Sequence, residues 1–168
     1  MPEQIVLQDY DPAWPGLFGR EAERIASALG SAALSIEHVG STSVPRLAAK
    51  PIIDVVLVVA DSAREETYVP ALERAGYEFR LREPEFFEHR LLKKSGPSVN
   101  LHVFSQGSPE VERMVAFRDR LRADPADRRL YERTKRDLAQ KEWASVQDYA
   151  DAKATVVEDV LARAARPG

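Results

Sequence analysis

The run Ile52-Ile53-Asp54-Val55-Val56-Leu57-Val58-Val59 limits most what this chain can fold into. β-Branched and leucine side chains occupy both alternating sets of positions, so the strand has no wet face and belongs inside a sheet covered on both sides. It is too short to cross a bilayer. Strand alternation puts Asp54, Val56 and Val58 on one face and Ile53, Val55, Leu57 and Val59 on the other. An unpaired carboxylate buried in such a strand costs on the order of several kcal/mol. Asp54 must therefore meet a cleft, a cation or a donor, with Lys50 as the candidate for a plain salt bridge. Just upstream, a short strand ending at Val39 runs into Gly40-Ser41-Thr42-Ser43. Glycine tolerates positive φ and leaves room for a close approach. Three hydroxyl residues ahead of a helix start supply donors to an anion. A glycine turn of this kind facing a strand-borne acid suits a triphosphate and a metal ion.

The rest of the chain reads as a mixed α/β part over 1–107 followed by a helical unit over 108–168, together one domain. Pro12 and Pro15 keep the leading arm extended, and a helix then runs to Gly30. Leu34–Val39 is a strand. Ser43 caps a helix that begins near Pro45. Ala63–Ala75 is an amphipathic helix closed by Gly76, and Tyr77–Arg82 and Phe86–Lys94 are strands. The turn Ser95-Gly96-Pro97-Ser98 joins the second of these to Val99–Ser105 in a hairpin. Helices follow from Pro109 to about Ala123 and from Pro125 to about Lys141. A third opens at the capping-box pattern Ser145-Val146-Gln147-Asp148. The fold class is α/β (α+β), a mixed sheet flanked by helices with a helical C-terminal unit.

With 168 residues, 44% of them hydrophobic, the chain is long enough for one real core. The absence of cysteine excludes disulfides, thiolate catalysis and cysteine-based zinc sites. A net charge of -3 gives no broad field for nucleic acid. Met1 to Gln4 lack the basic start and apolar run of a secretion signal. The expectation is a soluble cytoplasmic protein that engages neither membrane nor nucleic acid.

Other side chains carry chemistry. His38 shares a strand face with Ile36, and His102 shares one with Asn100 and Phe104. Two imidazoles flanking Asp54 would form a mixed site that suits Zn2+, Mn2+ or Ni2+ better than Mg2+, or a general base oriented by a carboxylate. Arg90, on a charged strand, and Lys50, beside the turn, can contact phosphate or serve as ordinary surface cations. In the last helix Lys153 interrupts an apolar stripe one turn after Tyr149. It either snorkels, or reaches a phosphate while Tyr149 stacks on a base.

The block from His38 to Pro45 followed by Ala48-Ala49-Lys50-Pro51-Ile52-Ile53-Asp54 resembles the GrpB family. The resemblance extends to Tyr10-Asp11-Pro12-x-Trp14, Arg90, Leu101-His102-Val103, Phe117-Arg118-Asp119-x-Leu121-Arg122, Tyr131 with Lys135, and Tyr149 with Lys153. That family in turn resembles the nucleotidyltransferase superfamily. It implies a nucleotidyltransferase-like sheet, a nucleoside triphosphate held by Gly40, Ser41, Thr42 and Ser43, and Mg2+ or Mn2+ (alternatively Zn2+) on Asp54 with His102 and His38. Lys50, Arg90, Tyr149 and Lys153 would contact the nucleotide, and Asp54 and His102 would be catalytic. The superfamily's second acid falls here on Val56, which leaves a poor magnesium cage. The expected activity is nucleotidyl transfer to a small-molecule or protein acceptor. The alternative is a non-catalytic nucleotide-binding module beside coenzyme A metabolism, because GrpB-like domains occur fused to dephospho-coenzyme A kinase.

Overall fold

The structure is a computed structural model that describes residues 6–140 and 146–165, with the side chains of 146–152 left out. Among these residues five strands form one mixed sheet, β1 (Ser35–Val39), β2 (Ile53–Val59), β3 (Glu78–Glu83), β4 (His89–Lys94) and β5 (Val99–Ser105), in the order β1-β2-β5-β4-β3. β2 runs parallel to β5, and every other neighbouring pair is antiparallel. As its apolar sequence requires, β2 is interior. The helices are α1 (Trp14–Leu29), α2 (Val69–Arg74), α3 (Pro109–Ala123), α4 (Pro125–Ala139) and α5 (Val146–Ala165).

Alternation along β2 separates two cores. Ile53, Val55, Leu57 and Val59 join Ile25 of α1, Leu72 of α2 and Leu101 and Val103 of β5. Val56 and Val58 pack instead with Val39 and Phe104 beneath Val111, Met114 and Val115 of α3. A third cluster binds Val44 and Leu47, from the loop before β2, to Leu121, Tyr131, Val156 and Val160 of α3 to α5.

Element boundaries differ from those expected at four places. α1 starts at Trp14, because Pro15 falls in the first turn, where no N–H is needed. No helix begins at Ser43–Pro45. A single 3-10 turn spans Ser41–Ser43, Arg46 takes φ 72°, and Val44 and Leu47 are drawn under the helical unit. Of the helix expected over Ala63–Ala75, only Val69–Arg74 is α-helical. The Tyr68 hydroxyl donates to the Ser62 carbonyl at 2.6 Å, Ser62 itself is held by Ser105 and the Glu88 carbonyl, and Pro70 starts the helix late. β4 begins at His89, since Phe87 and Glu88 form a turn with φ 55° and 52°. The expected cap at Ser145 lies outside the described residues.

Candidate functional site

Gly40 follows β1 with φ 73° and ψ -179°. A Cβ at this position would lie 2.5 Å from Oδ2 of Asp54, so the carboxylate packs directly over the glycine. The register explains this. Val39 opposes Asp54 across β1 and β2, which places Gly40 one residue beyond. Parallel pairing brings Asn100 beside Asp54, and Val56 opposes His102. Asp54, Asn100 and His102 therefore share the α3 side of the sheet.

The Asp54 side chain is 28% exposed and opens on a cavity of about 170 Å3 lined by Gly40, Ser41, Thr42, Lys50, Asn100, Tyr131, Lys135 and Lys153. Sheet, turn and the helical unit thus meet around one hollow. Lys135 is 2% exposed, and its Nζ donates to Ser41 Oγ and to the Ala48 carbonyl, each at 2.7 Å. Burial first, then the charge of Lys153, brings its pKa down to about 7. Lys153 is also lowered by burial, with Asp54 opposing the shift. Burial raises the Tyr131 phenol to about 12, and its ring centroid lies 5.1 Å from Lys135 Nζ.

A line of polar contacts leads away from Asp54. Its Oδ1 lies 3.3 Å from His102 Nε2, His102 Nδ1 lies 3.0 Å from His89 Nε2, and His89 Nδ1 lies 2.7 Å from Glu83 Oε1. The hydrogen positions follow from the network. Glu83 accepts from His89, whose other nitrogen then accepts from His102. Burial lowers the pKa of His89, in keeping with a neutral ring there.

Of the residues expected at the site, Gly40, Ser41, Thr42, Lys50, Asp54 and Lys153 line this one cavity. His102 touches it through Asp54. Ser43 turns away, its hydroxyl donating to the Gly40 carbonyl at 2.5 Å. His38 is not a neighbour of the Asp54–His102 pair. It opposes Val55, stacks on Phe18 of α1 at 4.8 Å between centroids, and bonds Thr42 Oγ1 at 3.0 Å. Arg90 opposes Val103 on the α2 side, is 3% exposed, and bonds Glu65 at 2.6 Å. The Tyr149 side chain lies outside the described residues. Lys135, Tyr131, His89 and Glu83 carried no role in the sequence reading. Tyr131 and Lys135 entered only as a pair that the GrpB resemblance includes, and their i, i+4 spacing puts them on one helix face.

Among the described residues no group of three or more histidines and acids is placed to hold a metal ion. Asp54 and His102 already bond each other, and cationic lysines share the hollow. This donor set does not fit a resident Mg2+, Mn2+ or Zn2+. Any such ion would need its oxygen ligands to come from the bound molecule.

The profile of the family described as GrpB protein matches residues 4–163. The chain belongs to the GrpB family. A UPF0157 protein of Halalkalibacterium halodurans is 60% identical over 95% of this chain and 82% of its own length. The crystal structure of the conserved protein GrpB from Enterococcus faecalis superposes with a TM-score of 0.79 at 34% identity, covering 94% of this chain and 98% of that one. A dephospho-CoA kinase of Mycolicibacterium paratuberculosis is 29% identical over 92% of this chain but only 44% of its own length. Among the described residues no helix is long and apolar enough to cross a membrane.

Proposed function

We propose that this GrpB protein binds a nucleotide through its phosphates in the cavity between Gly40 and Lys153. The observation that carries the reading is the clustering of Lys50, Lys135 and Lys153 with the Ser41 hydroxyl around one hollow. A phosphate there would receive charge-assisted hydrogen bonds and relieve the mutual repulsion of the lysines. The volume of about 170 Å3 lies below the roughly 300–1,000 Å3 of whole-ligand pockets. It suits the phosphates, with the nucleoside outside.

Nucleotidyl transfer is the second reading, favoured by the Asp54–His102 contact at 3.3 Å. In it, Asp54, held at Oδ1 by His102, takes the proton of an acceptor hydroxyl on its carboxylate as that oxygen attacks the α-phosphorus, and pyrophosphate leaves. The lysines stabilise charge on the transferring phosphates. Similarity to part of a dephospho-CoA kinase supports the first reading, a binding module beside nucleotide or coenzyme A chemistry.

Calorimetric titration with ATP, GTP, CTP, UTP and pyrophosphate, each with and without Mg2+, Mn2+ or Zn2+, tests both. Lys153→Met removes a charged hydrogen-bond donor and should weaken binding by about 10–100-fold. Unchanged affinity in that variant would refute the binding site. Release of pyrophosphate that depends on Asp54 and on an added acceptor separates transfer from binding alone.

A further inference from the structure

The Gly40–Ser43 turn has a second side. A cavity of about 520 Å3, sharing no lining residue with the lysine hollow, is bounded by Tyr10, His38, Ser43, Arg46, Arg122 and Arg128. Its size falls in the range of small-molecule sites.

Its three arginines are unusual in their company. The chain carries more acids than bases, 27 against 24. Yet none of Arg46, Arg122 and Arg128 has a carboxylate within ion-pair distance among the described residues. Nearby acids are engaged elsewhere. Glu37 pairs with Arg118 at 2.6 Å, Asp124 with Arg120 at 3.0 Å, and Asp127 with Arg120 at 2.8 Å and Arg163 at 2.5 Å. Backbone carbonyls steady two of the three. Arg122 Nε donates to the Ser43 carbonyl at 2.9 Å, and Arg128 donates to the Leu121 carbonyl at 3.2 Å. Each bond uses only part of the guanidinium fork. Arg46 is set at the rim by its φ of 72°, in the left-handed region that an L-residue with a long side chain seldom adopts. The Tyr10 ring and the prolines 15, 45 and 125 give the same cavity an apolar wall.

We propose that this cavity is a second anion-binding site, for a small phosphate monoester with a flat organic part. The guanidinium groups of Arg46, Arg122 and Arg128 grip the phosphate, and the Tyr10–proline wall takes the rest. Guanidinium forks match phosphate oxygens in pairs, which ammonium groups do not. The site stands independently of the nucleotide reading of the lysine hollow.

His38 is its built-in reporter. The ring lines the cavity, and burial followed by the positive charge of Arg122 lowers its pKa to about 4. A phosphate on Arg122 cancels that charge and changes the ring's environment.

The test is a histidine NMR titration of the full chain with phenyl phosphate, in wild type, Arg122→Gln, Arg128→Gln and Lys153→Met. The His38→Asn spectrum assigns the reporter among the three histidines. The expected result is a saturable shift of the His38 resonance that survives Lys153→Met and is weakened about tenfold or more by either arginine substitution. Arg122 is exposed and Arg128 half-buried, so both variants should fold, and unchanged melting temperatures check this. Absence of a saturable His38 shift overturns the proposal. So does a shift lost in Lys153→Met but kept in the arginine variants, because the signal would then arrive from the lysine hollow through the His38–Thr42 bond.

Discussion

The two faces of the sheet use the same strands to different ends. On the α1 and α2 side, Ile53, Val55, Leu57, Leu101 and Val103 form a continuous apolar core. On the α3 side, the apolar cluster of Val56, Val58 and Phe104 gives way to Asp54, Asn100 and His102 near the Gly40 turn. One face is given over to apolar packing, and the other carries Asp54 and Asn100 at the wall of the lysine hollow. Period-two alternation allows one strand to do both.

The largest break in this comparison is on the first face. Leu57→Ala should lower stability by about 2–5 kcal/mol, because Leu57 is wholly buried and its neighbours can collapse only in part. Urea unfolding measures the loss. Nucleotide affinity of the folded fraction should be unchanged, and a loss of affinity at full folding would blur the two faces.

Gly40→Ala attacks the second face. The new methyl meets Asp54 Oδ2 at 2.5 Å in a backbone of φ 73°. A stability loss of about 1–3 kcal/mol is expected from the strained backbone and displaced carboxylate. Nucleotide binding should fall with it, and calorimetry that showed wild-type affinity would mean the Asp54–Gly40 contact plays no part in the site.

The fold was legible in the sequence where hydrophobic pattern decides it. The interior position of β2, the hairpin of β4 and β5, and the helices after Ser108 all follow from that pattern. Alternation also placed His102 correctly with Asn100 and Phe104. What failed was cross-strand register. Since Val39 opposes Asp54, His38 is carried to the α1 side and Arg90, opposite Val103, to the α2 side, and no property of β1 or β4 alone reveals this. Lys135 was hidden differently. On a helix rich in arginine and acid it reads as surface, and only the fold of Val44–Ala48 beneath α4 buries it.

That burial makes Lys135 a pH-dependent part of the second face. Its folded pKa, about 7, lies below the ordinary 10.5. Between these values the unfolded chain holds a proton that the folded chain has shed. Stability therefore rises with pH across this window, by at most about 1.4 kcal/mol per unit from this group. Lys135→Met should flatten the rise, leaving the part due to Lys153, which is shifted in the same direction. Phosphate affinity should run the other way, level below about pH 7 and falling above it as the ammonium is lost. An affinity independent of pH from 6 to 9, measured alongside about equal affinity in Lys135→Met, would remove Lys135 from the site.

The smallest expected effect sharpens the comparison most, because it separates binding from chemistry within one face. His89 lies between His102 and Phe104, with ring centroids at 5.2 and 4.9 Å. Phenylalanine keeps both stacks but leaves the His102 Nδ1–H without its acceptor, so His89→Phe should lower stability by about 1–2 kcal/mol. It touches no wall of the lysine hollow, and ATP affinity should stay within about twofold of wild type. What it removes is the acceptor for His102 Nδ1 and the path to Glu83, the outlying member of the line, whose side chain is 42% exposed. In the transfer reading, acceptor-dependent pyrophosphate release then loses kcat with KM unchanged, and Glu83→Gln gives a weaker loss of the same kind. Equal kcat in all three proteins would make the histidine line a packing device, with Asp54 and His102 working alone.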